Sequence, residues 1–133
     1  MENIEDKKIL IIDDDNFLLD MYAIKFKKEG FDVVALLDAE EAFNKLKEGT
    51  IKPKIILFDL IMPKMDGMAF LQKLHEEKMA ENYVKIILSN QGQQIDVDQA
   101  NKIGIDGYIV KALYTPTEVV KQTVQIFNKT IKK

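Results

Sequence analysis

The 133-residue chain contains no cysteine, which excludes a disulfide framework and thiolate chemistry. That absence agrees with a reducing, cytoplasmic setting. No apolar run approaches the roughly 18 residues that a membrane span requires. Residues Met1 to Lys8 are polar and acidic, the opposite of a signal peptide, so a soluble, unexported protein is expected. A basic excess is also missing. The net charge of −3 argues against a binder of phosphate backbones, so no nucleic-acid partner is expected. Lys129, Lys132 and Lys133 read as a solvated tail. The single histidine, His75, stands among Lys73, Glu76 and Glu77, the setting of a solvated helix residue rather than of a phosphohistidine relay.

What is present is ordinary for a globular domain: 47% hydrophobic and 31% charged residues. The length suits one domain over residues 1–133, with a core from about 8 to 131 and no effector domain. Short aliphatic runs alternate with helical patterns, the signature of a parallel α/β sheet. Ile9–Ile12, Val33–Leu37, Ile55–Phe58, Val84–Leu88 and Tyr108–Val110 read as the strands. Helices are expected from the Asp15/Asn16 cap to Glu29, from Asp38 to just before Gly49, and from Met68 to about Met79. A fourth is expected from near Asp96 or Asp98 to Ile103. The last follows Thr115-Pro116-Thr117-Glu118, with Val120, Thr123, Val124, Phe127 and Ile131 on its buried stripe. Right-handed crossovers turn this order into an open, doubly wound sheet.

Ligands of such sheets bind at the carboxyl ends of the strands. There this sequence places Asp13 and Asp14 after the first strand, Asp59 after the third, Ser89 after the fourth and Lys111 after the fifth. Each alone is commonplace, since an Asp pair caps helices and a lone Lys or Ser is usually solvated or capping. Four strand ends agreeing is not. Three converging carboxylates repel one another unless a cation intervenes, and oxygen-only ligands suit Mg²⁺. With Lys111 and Ser89 they make what an incoming phosphoryl group needs: a nucleophile, neutralising charge and a donor.

From Lys8 to about Ile131 the chain resembles a receiver domain of the response-regulator family of bacterial two-component signalling. The resemblance rests on four blocks in matching order: Ile9-Leu10-Ile11-Ile12-Asp13-Asp14-Asp15, Asp59-Leu60-Ile61-Met62-Pro63-Lys64-Met65-Asp66-Gly67, Ile86-Ile87-Leu88-Ser89 and Gly107-Tyr108-Ile109-Val110-Lys111. It implies a flavodoxin-like (βα)5 fold with strand order 2-1-3-4-5. It implies that Asp59 accepts a phosphoryl group from a histidine of a sensor kinase or phosphotransfer protein. Asp14 would bind Mg²⁺ directly, Asp13 mainly through water, and Asp59 and the Ile61 carbonyl would complete the set. Ser89 and Tyr108 would switch, Lys111 would pair with the phosphate, and an output protein would read the result. The chain would promote its own phosphorylation and dephosphorylation without being a turnover enzyme.

Where the family usually has proline after the lysine, this chain has Ala112. A cis bond before a residue other than proline costs about 3–4 kcal/mol, so a trans bond and a re-routed loop to Thr115 are expected. Ile61 and Gln91 lie two residues past the acceptor and the switch serine. By analogy with the family they stand beside the path of an attacking water, which aliphatic Ile61 cannot orient, so a persistent phosphoryl group is expected. The first helix is apolar over a wide arc, and Phe17, Leu19 and Ile24 are expected to remain for a partner. Other readings fit less well. A haloacid-dehalogenase-like phosphatase needs Thr where Phe17 stands, plus a cap domain. A flavodoxin relative needs a Ser/Thr/Gly-rich phosphate loop after the first strand. A receiver acting without phosphorylation would not need its full acidic set.

Overall fold

The computed structural model describes residues 7–90 and 94–131. Gln91 lies outside the described residues. Five strands, β1 (Lys8–Ile12), β2 (Asp32–Leu36), β3 (Ile55–Phe58), β4 (Val84–Ser89) and β5 (Gly107–Val110), alternate with α1 (Asn16–Lys28), α2 (Ala39–Glu48), α3 (Gly67–Glu76), α4 (Gln94–Ile103) and α5 (Pro116–Ile131). All strand pairs are parallel, in the order β2-β1-β3-β4-β5. The doubly wound, flavodoxin-like sheet expected from the sequence is therefore the observed fold.

Every residue of β3 and β4 is buried, as expected of mostly apolar strands covered by helices on both faces, and β4 buries Lys85 and Ser89 with them. Alternation along the strands divides the core. Leu10, Ile12, Ile56, Phe58 and Ile87 pack under α2 and α3, while Ile9, Ile11, Leu57 and Ile86 pack under α1 and α5.

Helix ends follow their caps. Asp15, Asp38 and Asp66 each accept a backbone N–H from the first turn of the following helix. Thr115 and Glu118 form a reciprocal capping box before α5, at 3.1 and 2.8 Å. Helix α3 stops at Glu76 rather than Met79, because Lys78 turns left-handed (φ 59°) and Met79 N–H bonds back to Leu74 O. Helix α4 begins earlier than expected, at Gln94.

Two burial expectations are corrected. Leu19 is 3% exposed, whereas Phe17 and Ile24 are 73% and 56% exposed. Helical spacing puts Leu19 on the inward face with Tyr22, Ala23 and Phe26, so α1 offers two apolar residues to a partner rather than three. Ile131 is 52% exposed, not on the buried stripe. The 16-residue α5 is about 24 Å long, so its last turn outruns the short strand β5, and Val119 takes the inward place at its start.

Gly67 opens α3 against the back of the loop that follows β3. An added Cβ would meet the Asp59 carbonyl oxygen and the Leu60 Cα. Gly67→Ala should cost about 2 kcal/mol, roughly 8 °C in Tm, by thermal denaturation. An unchanged Tm would show that the approach is not constraining.

Candidate functional site

The parallel register sets Ile12 beside Phe58, so Asp13 and Asp59 leave adjacent strands at the same level. Asp59 N–H donates to Ile12 O at 3.1 Å, fixing that level. Because β1 lies between β2 and β3, the chain crosses over at this point, and the strand-end loops part to leave a cleft. The cleft is open, about 350 Å³, and Asp13, Asp14, Asp59, Ile61, Ser89 and Lys111 are among its lining residues.

Asp13 and Asp59 are held in the same way. One oxygen of each accepts a backbone N–H from its own loop, from Asp15 at 2.9 Å and from Ile61 at 3.2 Å. The other accepts from Lys111, at 2.6 Å and 2.7 Å respectively. A single ammonium thus sits between two buried carboxylates. Asp14 is exposed, and its carboxylate lies with theirs in a group whose ligand atoms are within 4.8 Å of one another. Three acids against one lysine leave the cleft short of positive charge. That donor set, oxygen only and partly open to water, fits a hard divalent cation such as Mg²⁺.

Burial pushes the Asp13 carboxyl above its ordinary range, and the hydrogen bond from Lys111 only partly offsets this. Burial also works against the Lys111 ammonium, but the hydrogen bonds to Asp13 and Asp59 prevail and its pKa rises. Lys111 is therefore charged at neutral pH. Tyr108, half-buried on β5, is pushed up to about 12 by burial and then by Asp96 and Asp59, so its phenol stays protonated. Ser89 ends β4 and is buried at the cleft.

The Lys111–Ala112 bond is trans, and residues Lys111–Leu113 form a short 3-10 turn leading to the α5 cap. His75 is not the solvated residue its sequence neighbours suggested. It lies in the last turn of α3, half-buried, with Nε2 3.2 Å from Gly104 O. Sequence reading passed over Asn90 and Leu18, which also line the cleft. The signal available for Asn90 was its place one residue beyond a strand-end serine.

The sequence profile of the response regulator receiver domain matches residues 9–123. The chain belongs to that family. Among relatives of this receiver domain, the alkaline phosphatase synthesis transcriptional regulatory protein PhoP of Bacillus subtilis is 30% identical over 113 residues, which are 85% of this chain and 45% of PhoP. The DNA-binding response regulator MtrA of Mycobacterium tuberculosis is 32% identical over 115 residues, 86% of this chain and 47% of MtrA. The receiver thus spans about half the length of the curated relatives it matches. A CheY-like response regulator receiver domain protein from Methanospirillum hungatei superposes with a TM-score of 0.84 at 27% identity, covering 95% of this chain and 97% of that one. Among the described residues no helix is long and apolar enough to cross a membrane.

The raised Asp13 pKa means that the folded state holds its proton more tightly than the unfolded chain does. Ionising Asp13 as pH rises above the ordinary carboxylate range therefore costs stability. In EDTA at pH 7, Asp13→Asn should raise stability by about 1 kcal/mol, roughly 4 °C in Tm, a modest figure because the open cleft admits screening water. The gain should vanish at acid pH, where Asp13 is already neutral. A variant less stable at pH 7 would mean that the Lys111 pairing outweighs burial.

Proposed function

We propose that Asp59 is the phospho-acceptor of a two-component phosphorelay. The observation that carries this reading is the Lys111 ammonium held between the Asp13 and Asp59 carboxylates at 2.6 and 2.7 Å. Such a contact fixes a nucleophile while keeping neutralising charge beside it.

In the reaction a carboxylate oxygen of Asp59 attacks phosphorus, and the bond from phosphorus to the donor histidine nitrogen breaks. Lys111 leaves Asp59 for a phosphoryl oxygen, and the Ser89 hydroxyl donates to another. Mg²⁺, when bound, supplies the charge that lets carboxylates and phosphoryl oxygens share one cleft. Asp14 would hold it directly, Asp13 through water, with Asp59 and the Ile61 carbonyl beside them. Ser89 and then Tyr108 relay occupancy toward α4, β5 and α5, where an output protein binds. The chain assists its own phosphorylation and dephosphorylation but turns over no other substrate.

The donor is a sensor histidine kinase or a histidine phosphotransfer protein, met in the cytoplasm. Exposed Phe17 and Ile24, one heptad apart on α1, suit its helical surface. The excess of acidic residues speaks against direct contact of this domain with nucleic acid.

Incubation with acetyl phosphate and Mg²⁺, read by intact mass, should add one phosphoryl group, and Asp59→Asn should abolish it. Unmodified wild-type protein, or modification surviving in Asp59→Asn, would reject the assignment. Ile61 is 61% exposed at the mouth and presents only hydrocarbon to an attacking water. The phosphoryl group should therefore last on the order of minutes or longer, and Ile61→Asn should shorten that. A wild-type half-life of seconds would contradict it.

A further inference from the structure

At the opposite end of the sheet, the amino ends of β1 and β4 and the loop between α2 and β3 enclose a second cleft. Its volume, about 650 Å³, exceeds that of the acid cleft and falls in the range of small-molecule sites. Lys8, Lys52 and Lys54 line it, and among the described residues no carboxylate does. The clefts beside it share these lysines and add acids, Asp32 in one and Glu81 and Asp106 in the other.

None of these three lysines has an ion-pair partner among the described residues, whereas Lys47, Lys64, Lys85 and Lys111 all do. Asp32 stands opposite Lys8 in the β1–β2 ladder, yet the two are not paired. In a chain of net charge −3, three ammonium groups around one concavity form a local positive field that favours an anion.

The cleft is also preformed. Lys54 N–H donates to Lys8 O at 2.9 Å, and Val84 N–H to Lys54 O at 2.8 Å, stitching its walls together. Gly49, left-handed at φ 79°, ends α2 and turns the chain into the loop that forms one side. Little ordering is therefore required on binding. Half-buried Ile51 and Tyr83 supply an apolar wall. The carboxyl end of α2 carries the negative end of its dipole, so phosphates belong on the lysine side and an uncharged ring near the helix.

We propose that this basal cleft binds a nucleoside polyphosphate, with its phosphates on Lys8, Lys52 and Lys54 and its base against Ile51 and Tyr83. The site is separate from the acid cleft and does not depend on phospho-acceptance by Asp59. The test is a proton–nitrogen NMR titration of the whole chain with ATP in EDTA, which keeps divalent ions from recruiting nucleotide to the acids. Saturable shifts at residues 46–54 and 82–83 are expected, with half-saturation near about 1 mM or below. Lys52→Glu combined with Lys54→Glu should weaken binding about tenfold or more, Asp59→Asn should leave it unchanged, and adenosine alone should bind far more weakly. Absence of saturation by about 10 mM would overturn the proposal. So would shifts confined to the acid cleft, insensitivity to the charge reversals, or adenosine binding as well as ATP.

Discussion

One ammonium group holds the carboxyl rim of this molecule together. Lys111 reaches from the end of the edge strand β5, past β4, to carboxylates on β3 and β1. It joins three strand ends that have no other charged link there among the described residues. Without it, two buried acids would face each other across adjacent strands, and burial already strains the ionised state of Asp13. The arrangement remains unbalanced even with Lys111 in place, because Asp14 adds a third acid. That residual negative charge is of the kind a hard cation would offset.

The rest of the fold serves to hold these groups still. Asp59 is fixed by the β1–β3 ladder below it and by Gly67, whose bare Cα lets α3 approach the Asp59 backbone. Buried Met62 pins the same loop into the cluster beneath α2 and α3. On the far side, Lys111 opens a 3-10 turn that feeds the Thr115–Glu118 capping box of α5. The backbone that carries Lys111 therefore runs directly into the start of α5. The trans bond at Ala112 is compatible with this, since the turn absorbs the change of route.

The two ends of the sheet differ in which charged groups they gather, although Asp32 and Asp106 also stand at the amino ends. The carboxyl ends gather Asp13, Asp14 and Asp59, while the amino ends carry Lys8 and Lys54 with Lys52 in the adjoining loop. A parallel sheet makes such polarity possible, because every strand presents the same end to the same rim. The net charge of the chain conceals it.

Much of the fold and of the acid site was legible in the order of residues. Aliphatic runs ending in Asp, Asp, Ser and Lys announced strands whose tips meet, and the capping residues Asp15, Asp38 and Thr115 marked helix starts locally. Such features depend on neighbours a few residues away, so the sequence alone determined them. Distances, burial and pairing were decided by tertiary structure. That Lys111 bonds to both Asp13 and Asp59, that Leu19 faces inward while Phe17 does not, that His75 meets Gly104, and that three scattered lysines share one cleft all depend on strand register and helix docking. Those arise from packing between segments far apart in the chain, and a linear string of residues carries no record of which side chains will share the same space.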